Sequence, residues 1–338
     1  RKAGLPIVIP TETLDDMCQR YWQRPLKATW YAPISSWKGS SAAFLWLGLE
    51  GGDTRRVILK AARYTESQDD AYQGFPFEPG APEFWIYNAA APALRNYLAD
   101  CMLAVRLASP ETFLYVLEDL SVNYVKPPRV AGWRPGVLRM HDLHSALSVA
   151  AAKYGREDLL IYDKSFDRKL LSYAEETISR IHSSTRSLVA REVLDDWTRL
   201  SNCYMSHEFD IPQIHRPIHG DYNTGNLFVS KKDRAQLKVV DWEWTGFGLP
   251  HIDLASYLRR APSDVTRWAI DDLARREPDL TLRAHERVLL RCALQRGIWD
   301  ASLLASQLGS DVDRFQRLDE GVDRSLSSAM HALNRLAG

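Results

Sequence analysis

The chain has 338 residues, 45% of them hydrophobic and 25% charged, with 43 basic side chains against 43 acidic ones. That size suits one large or two modest globular domains, and the even charge balance gives no overall field to recruit nucleic acid or an anionic membrane. Four scattered cysteines (Cys18, Cys101, Cys203, Cys292), without a CxxC pair or a zinc-like Cys/His spacing, argue against a disulfide framework and fit a reduced, cytoplasmic protein. No apolar run is long enough to span a bilayer, and the apolar part of residues 1–10 is too short for a signal-peptide core.

Residues 11–22 read as a helix, with Thr13 and Asp16 spaced like a capping box and Leu14, Met17 and Tyr21 on one face. Strands are expected at 28–34, 42–49 and 56–62, separated by the small-residue turn Ser35-Ser36-Trp37-Lys38-Gly39-Ser40-Ser41 and by Glu50-Gly51-Gly52-Asp53. The third strand carries Lys60 near its end, after Val57-Ile58-Leu59. Residues 64–80 are polar and punctuated by Gly and Pro, as in a loop. A helix over 82–97 has Pro82 in its first turn, where proline is tolerated, followed by Glu83. Two further strands, 102–108 and 112–117, flank Ser109-Pro110-Glu111. Residues 121–136 are Pro-rich and read as irregular. Residues 139–154 form an amphipathic helix with Leu143, Leu147, Ala150, Ala151 and Tyr154 on its stripe. His141 and His144 are one turn apart there. With no metal-site partner motif, they read as surface or capping histidines. Helices are expected at 166–181 and 188–204, and again after Asp253 through Leu258, 265–274, 282–308 and 312–336.

The densest stretch is 217–254. It reads Pro-Ile-His219-Gly220-Asp221-Tyr222-Asn223-Thr224-Gly225-Asn226-Leu-Phe-Val, then Leu-Lys-Val-Val-Asp241-Trp242-Glu243, then Asp253-Leu-Ala. Asp221 and Asn226 share a loop between two β-like runs, and a second strand (237–240) delivers Asp241. Asp, Asn and Gly alone would serve any hairpin turn. A turn, however, needs neither His219 nor a carboxylate ending the next strand, nor another Asp twelve residues on. Phosphoryl transfer from Mg-ATP does need such a set: a carboxylate to orient the attacking hydroxyl, and two oxygen ligands for Mg²⁺.

HGDxxxxN, an apolar strand ending in Asp, and then Asp-Leu-Ala together resemble the aminoglycoside phosphotransferase and choline kinase family, whose fold is similar to that of the protein kinases. The resemblance implies an α+β, bilobal fold with a small antiparallel-sheet N-lobe (1–118) and a larger, mainly helical C-lobe (119–338). It implies Asp221 as catalytic base, Asn226 and Asp241 as Mg²⁺ ligands, and His219 and Asp253 as supports of the catalytic loop. Lys60 resembles the lysine that pairs the ATP phosphates, with Glu83 as its partner, although a lysine at a strand end is often merely solvated and a first-turn glutamate can serve the helix dipole. Gly39 and Ser40 would lay backbone N–H groups over the phosphates, but this turn has one glycine where the protein kinases carry G-x-G-x-x-G. Tyr115-Val116-Leu117-Glu118-Asp119-Leu120 looks like the hinge, whose backbone at Glu118 and Leu120 would meet the adenine. His-Gly-Asp and Asp-Trp-Glu in place of His-Arg-Asp and Asp-Phe-Gly favour the small-molecule branch.

The implied cofactors are ATP and Mg²⁺, and the implied partner is a small-molecule alcohol, with no nucleic acid and no membrane. Glu243 is a candidate for a second Mg²⁺ or for the substrate. Tyr222, Trp244, Trp268, Trp299 and Asp300 are candidates to face the acceptor. The tryptophans could box a quaternary ammonium or stack on sugars, but they could also fill the core. Asp271, Asp272, Glu277 and Asp279 could receive an aminoglycoside. A sugar-bearing natural product such as an aminoglycoside-like antibiotic is the leading expectation, and a choline-like amino alcohol stands second. Two other classes compete: a metallophosphoesterase, which would want a downstream His-x-His that is absent here, and a catalytically inactive, kinase-shaped binding module.

Overall fold

The computed structural model describes residues 9–36, 40–63, 81–108, 111–127, 132–185, 195, 197–206, 214–307, 327, 331 and 335. Gly39, the loop at 64–80, the start of the helix expected at 188–204 and nearly all of the helix expected at 312–336 lie outside them.

The chain opens with α1 (Thr11–Trp22). Pro10 is its N-cap residue and no side chain caps it, so the expected Thr13–Asp16 capping box does not form. Five strands follow: β1 (Leu26–Ser36), β2 (Ser40–Leu49), β3 (Thr54–Arg63), β4 (Cys101–Ala108) and β5 (Glu111–Glu118). They form an antiparallel sheet in the order β1-β2-β3-β5-β4. Side chains alternate between its faces. Leu45, Leu47, Val57, Leu59, Leu114 and Val116 point to one face and pack with Leu14, Met17 and Cys18 of α1. Ala62, Phe113, Tyr115 and Leu117 point to the other and join the main core. Lys60, one residue beyond Leu59, therefore faces inward, towards the rest of the molecule.

The helix expected over 82–97 is interrupted. It comprises α2 (Ala81–Trp85), a π-helical turn (Ile86–Ala90) and α3 (Ala91–Leu94), with Pro92 just inside the last piece. A proline lacks the N–H that would continue the α-helical ladder, and the wider π turn lets the chain pass it. Beyond α3, Val239 donates its N–H to Tyr97 O at 2.7 Å, which ties this segment to a strand of the second half.

After β5 come β6 (Tyr124–Val125) and α4 (Trp133–Tyr154), which begins inside the stretch read as irregular. Next are β7 (Leu160–Ile161), α5 (Lys164–Thr185), α6 (Trp197–Ser206), β8 (Arg216–Ile218), β9 (Leu227–Ser230), β10 (Leu237–Val239) and β11 (Gly246–Gly248). Three helices close the described chain: α7 (His251–Leu258), α8 (Ser263–Arg276) and α9 (Leu282–Gln307). The short strands make two three-stranded sheets, β10-β9-β6 and β7-β11-β8. The result is the expected α+β, bilobal architecture. One core runs from the inner face of the large sheet through α2, α3 and α4 to α7, α8 and α9. Among the described residues no helix is long and apolar enough to cross a membrane.

Candidate active site

The loop between β8 and β9 is held from within by one carboxylate. Asp253, fully buried in the first turn of α7, accepts the N–H groups of His219 (2.8 Å), Gly220 (2.8 Å) and Tyr222 (3.4 Å), and His144 Nε2 lies 2.8 Å from it. Burial alone would raise the Asp253 pKa. The His144 hydrogen bond, with the His219 amide adding to it, outweighs burial and holds the carboxyl below its usual range. Gly220 sits at φ +81°, and a Cβ there would lie 2.0 Å from Trp244 O, which is why the position takes glycine. His219 receives the Asp221 amide on Nδ1 (3.2 Å) and reaches Val240 O with Nε2 (3.2 Å). That pattern fits the neutral Nε2–H tautomer, and burial indeed lowers its pKa.

Asp221 emerges from this frame with both carboxylate oxygens engaged. Oδ1 accepts Asn223 Nδ2 at 2.8 Å and Arg296 Nη1 at 2.5 Å, and Oδ2 accepts Asn226 Nδ2 at 2.8 Å. Burial raises its pKa, Arg296 pulls it back, and the charge of Asp241 raises it again. With its amide nitrogen on Asp221, Asn226 keeps its amide oxygen as the atom able to ligate a cation. The loop is locked to the next strand by Val240 N–H to Asn226 O, 3.0 Å.

Asp241 follows at φ +68°, a left-handed conformation that costs a non-glycine residue energy and that the surrounding fold must impose. Lys60 Nζ meets three carboxylates: Glu83 at 2.7 Å, Asp241 at 2.8 Å and Glu243 at 3.1 Å. The strand lysine, the α2 glutamate and the acids after β10 thus converge across the cleft. Burial, the like charge of Glu243 and that of Asp241 push Glu83 up to about 7 against the pull of Lys60, and burial also raises Glu243. Asp241 goes the other way: burial opposes its charge, but Lys60 holds it below the ordinary carboxylate range. Ligand atoms of Glu83, Asp241 and Glu243 all lie within 4.8 Å of one another, and Glu83 Oε1 is buried without a hydrogen-bond partner. Three carboxylates about one ammonium leave an excess of negative charge, and this oxygen-only donor set suits a hard divalent cation such as Mg²⁺.

Other expected residues fare differently. In the hinge, Glu118 N–H donates to Asp100 O (2.8 Å), and Leu120 O accepts Asn123 N–H (3.2 Å) and Tyr124 N–H (2.8 Å), so the Glu118 N–H and the Leu120 carbonyl are not the groups that would meet an adenine. Ser40 begins β2, where it pairs with Ala62. Tyr222 does not face an acceptor: it is fully buried, with its hydroxyl on Gly136 O at 2.9 Å. Trp244 and Trp299 are nearly buried and pack on each other with ring centroids 3.8 Å apart, Trp299 also stacking on Phe166. Trp268 lies under the Arg134 guanidinium. Asp300 is bound by Arg259 and by Arg296 Nε (2.9 Å). His141 and His144 are buried, correcting their reading as surface residues, and His144 braces Asp253. Arg296 and Lys126, whose ammonium reaches Gly225 O and lies 3.5 Å from the Phe228 ring centroid, are site neighbours that the sequence did not single out. The stripe of α4 (Met140, Leu143, Leu147) placed His144 on the inward face and could have flagged it; nothing local marks Arg296.

Known proteins resemble this chain in fold and over part of its sequence. Residues 175–290 match the model of the phosphotransferase enzyme family, APH. Choline kinase from Cryptosporidium parvum is 11% identical with a TM-score of 0.61, the match covering 97% of this chain and 96% of that one. A mutant of aminoglycoside 2'-phosphotransferase-IIIa in complex with GDP is 13% identical with a TM-score of 0.57, over 96% and 100%. The choline/ethanolamine kinase family protein from Mesorhizobium loti is 11% identical with a TM-score of 0.56, over 96% and 98%. No curated protein matches the sequence. The resemblance read from 217–254 is therefore borne out: the catalytic-loop region matches this phosphotransferase family, and the fold is that of the aminoglycoside phosphotransferases and choline kinases.

Proposed function

We propose that this chain transfers the γ-phosphoryl group of ATP, with Mg²⁺, to a hydroxyl of a small molecule. The observation that carries the reading is the convergence of Lys60, the loop residues Asp221 and Asn226, and Asp241 from three separate stretches of the chain onto one cleft. Lys60, steadied by Glu83, would hold the phosphates of the nucleotide. Asn226 through its amide oxygen and Asp241 through its carboxylate would hold Mg²⁺, with Glu243 beside them; the bound ion would neutralise phosphate charge in the transition state. Asp221 would orient the acceptor hydroxyl and take its proton as the oxygen attacks phosphorus and the bond to the ADP leaving group breaks. Its position, fixed by Asn223, Asn226 and the Asp253-braced loop, supplies the alignment on which a loose phosphoryl-transfer transition state depends. In this reading the N-lobe is 1–118, ending at the hinge, and the C-lobe, 119–338, carries the catalytic loop, the metal site and the acceptor-binding region.

The similar aminoglycoside 2'-phosphotransferase-IIIa structure is a complex with GDP, which supports a nucleotide in this cleft. An aminoglycoside or choline-like acceptor remains the class suggested by resemblance. The test is Mg-dependent ADP release on a panel of sugars, amino alcohols and aminoglycosides. Asp221→Asn should lower kcat on the best acceptor by about 10²–10⁴-fold while nucleotide affinity is kept. Undiminished turnover in that variant would remove the assignment, and nucleotide binding with no turnover on any alcohol would favour an inactive kinase-like module.

A further inference from the structure

Three of the acids that the sequence offers for a cationic acceptor, Asp300, Glu277 and Asp272, are already matched by arginines of this chain. Asp300 carries two, Arg259 and Arg296. Glu277 pairs with Arg216, and Asp272 takes Arg276 Nε at 2.8 Å and Arg275 Nη2 at 3.2 Å. Most telling, Arg296 reaches past Asp300 to Asp221 itself. Its guanidinium, four-fifths buried, stands where an ammonium group of an acceptor would have to stand to be held by both carboxylates. The aromatic alternative is closed as well. Trp244 packs on Trp299, and an arginine already covers Trp268.

Arg296 also lines a cavity of about 200 Å³ between α7, α8 and α9, with aliphatic walls at Leu258, Ile270, Leu289 and Ala293. Its charged margin holds Arg259, Arg296 and Arg335 against Glu286, while Asp300 and Asp221 answer the first two arginines. The charges cancel and the walls are apolar, so the cavity that Arg296 lines rewards an uncharged body rather than a cation.

We propose that Arg296 is a specificity-determining residue that fills the acceptor's cation position with its own guanidinium, so that the enzyme takes uncharged, apolar-bodied alcohols and rejects polycationic ones. This rests on the phosphotransferase reading and narrows it. A polycation approaching Asp221 meets an arginine that it must displace, and like-charge juxtaposition opposes it. Burial works against the Arg296 charge but its two aspartates hold it firmly protonated, so the exclusion does not relax with pH.

The experiment measures kanamycin binding to the Mg-ADP complex by calorimetry, for the wild type and for Arg296→Gln, together with wild-type ADP release on phenyl β-D-glucoside, choline and kanamycin. The expected result is kanamycin binding at least about tenfold tighter in Arg296→Gln than in the wild type, and wild-type kcat/KM highest on the uncharged glucoside. Arg296→Lys, which keeps the charge, should stay as poor for kanamycin as the wild type. Equal or tighter kanamycin binding by the wild type, or a preference for kanamycin or choline in turnover, overturns the inference while leaving the phosphotransferase reading in place. If Arg296→Gln does not fold, the wild-type titration decides alone: a micromolar kanamycin complex sinks the proposal, and binding weaker than millimolar upholds it. Absence of any stabilisation by Mg-ADP would overturn the phosphotransferase reading and this inference with it.

Discussion

Two residues hold the centre of the site by opposite means. Gly220 occupies the left-handed region at φ +81° without strain, whereas Asp241 occupies it at φ +68° with a side chain attached. The glycine is needed for space as much as for torsion. Trp244 O, 2.0 Å from where its Cβ would fall, is fixed by the Tyr162 hydroxyl at 2.5 Å, and that hydroxyl is itself 2.3 Å from the same point. Nothing nearby is the free end of a flexible side chain. Gly220→Ala should therefore cost more than the roughly 1–2 kcal/mol of a left-handed L-residue, because the loop must also part from the Trp244 backbone and the Tyr162 hydroxyl. A thermal melt should show a drop of several degrees, and nucleotide-dependent turnover should fall with it as Asp221 moves. A melt within a degree of wild type would mean that the Asp253-braced loop is not packed as described.

At the scale of elements, the sequence made visible what is periodic or local. The strand-turn-strand order of β1 to β3, the α4 stripe and the 217–254 stretch all announce themselves through spacing. The π turn at Ile86–Ala90 did not, since its apolar pattern is equally that of a straight helix. The two-residue strands β6 and β7 are too short to show alternation. Arg296 escaped because its partner lies 75 residues away, and the α4 stripe that turns His144 inward could not name Asp253, 109 residues away, as what it braces. The same holds for a histidine pair that joins α7 to α9. His285 Nε2 lies 3.1 Å from Glu277 O, and His251 Nε2 lies 3.1 Å from His285 Nδ1. Both contacts are satisfied when each ring is neutral and carries its proton on Nε2. A second proton on His251 would go to Nδ1, which is buried with no partner. Burial, with His285 adding to it, lowers His251 to about 3, and burial likewise lowers His141 to about 3. The unfolded chain takes up these protons from about pH 6.5 downward and the native state does not. Each histidine thus contributes stability that is complete above that pH and lost towards pH 3, by about 1.4 kcal/mol per pH unit. Glu83 opposes this: its raised pKa makes its contribution fall as pH rises from 4.5 towards 7. The decisive measurement is therefore the change in slope. Unfolding free energy followed by denaturant between pH 7 and 5 should lose about one proton's worth of pH dependence in His251→Asn, and an unchanged slope would refute the neutral pair.

For the whole molecule, the question is what joins the halves across the cleft. Behind it they share a core, since α2 and α3 pack with α4 and Val239 bonds to Tyr97. In front, the link is ionic: Lys60 from the large sheet meets Asp241 and Glu243 from the far side, with Glu83 behind it. One ammonium cannot neutralise three carboxylates, and the protein on its own offsets the excess by letting Glu83 and Glu243 hold protons more tightly than usual. A divalent cation would do so better, so Mg²⁺ without any acceptor should raise the melting temperature over chelator-treated protein. At a hundredfold excess over its Kd the gain is about 2.7 kcal/mol. Lys60→Met sharpens the expectation. Without cation it should be less stable than wild type, because it strands buried acids. Its melting temperature should then rise more steeply with Mg²⁺ than the wild type's, because nothing competes for the carboxylates, even though its nucleotide affinity falls. If Lys60→Met melts lower than wild type in chelator but neither protein responds to Mg²⁺, these acids are a structural ion-pair cluster and the cation must be held elsewhere; if Lys60→Met melts no lower, the ionic link across the cleft is refuted.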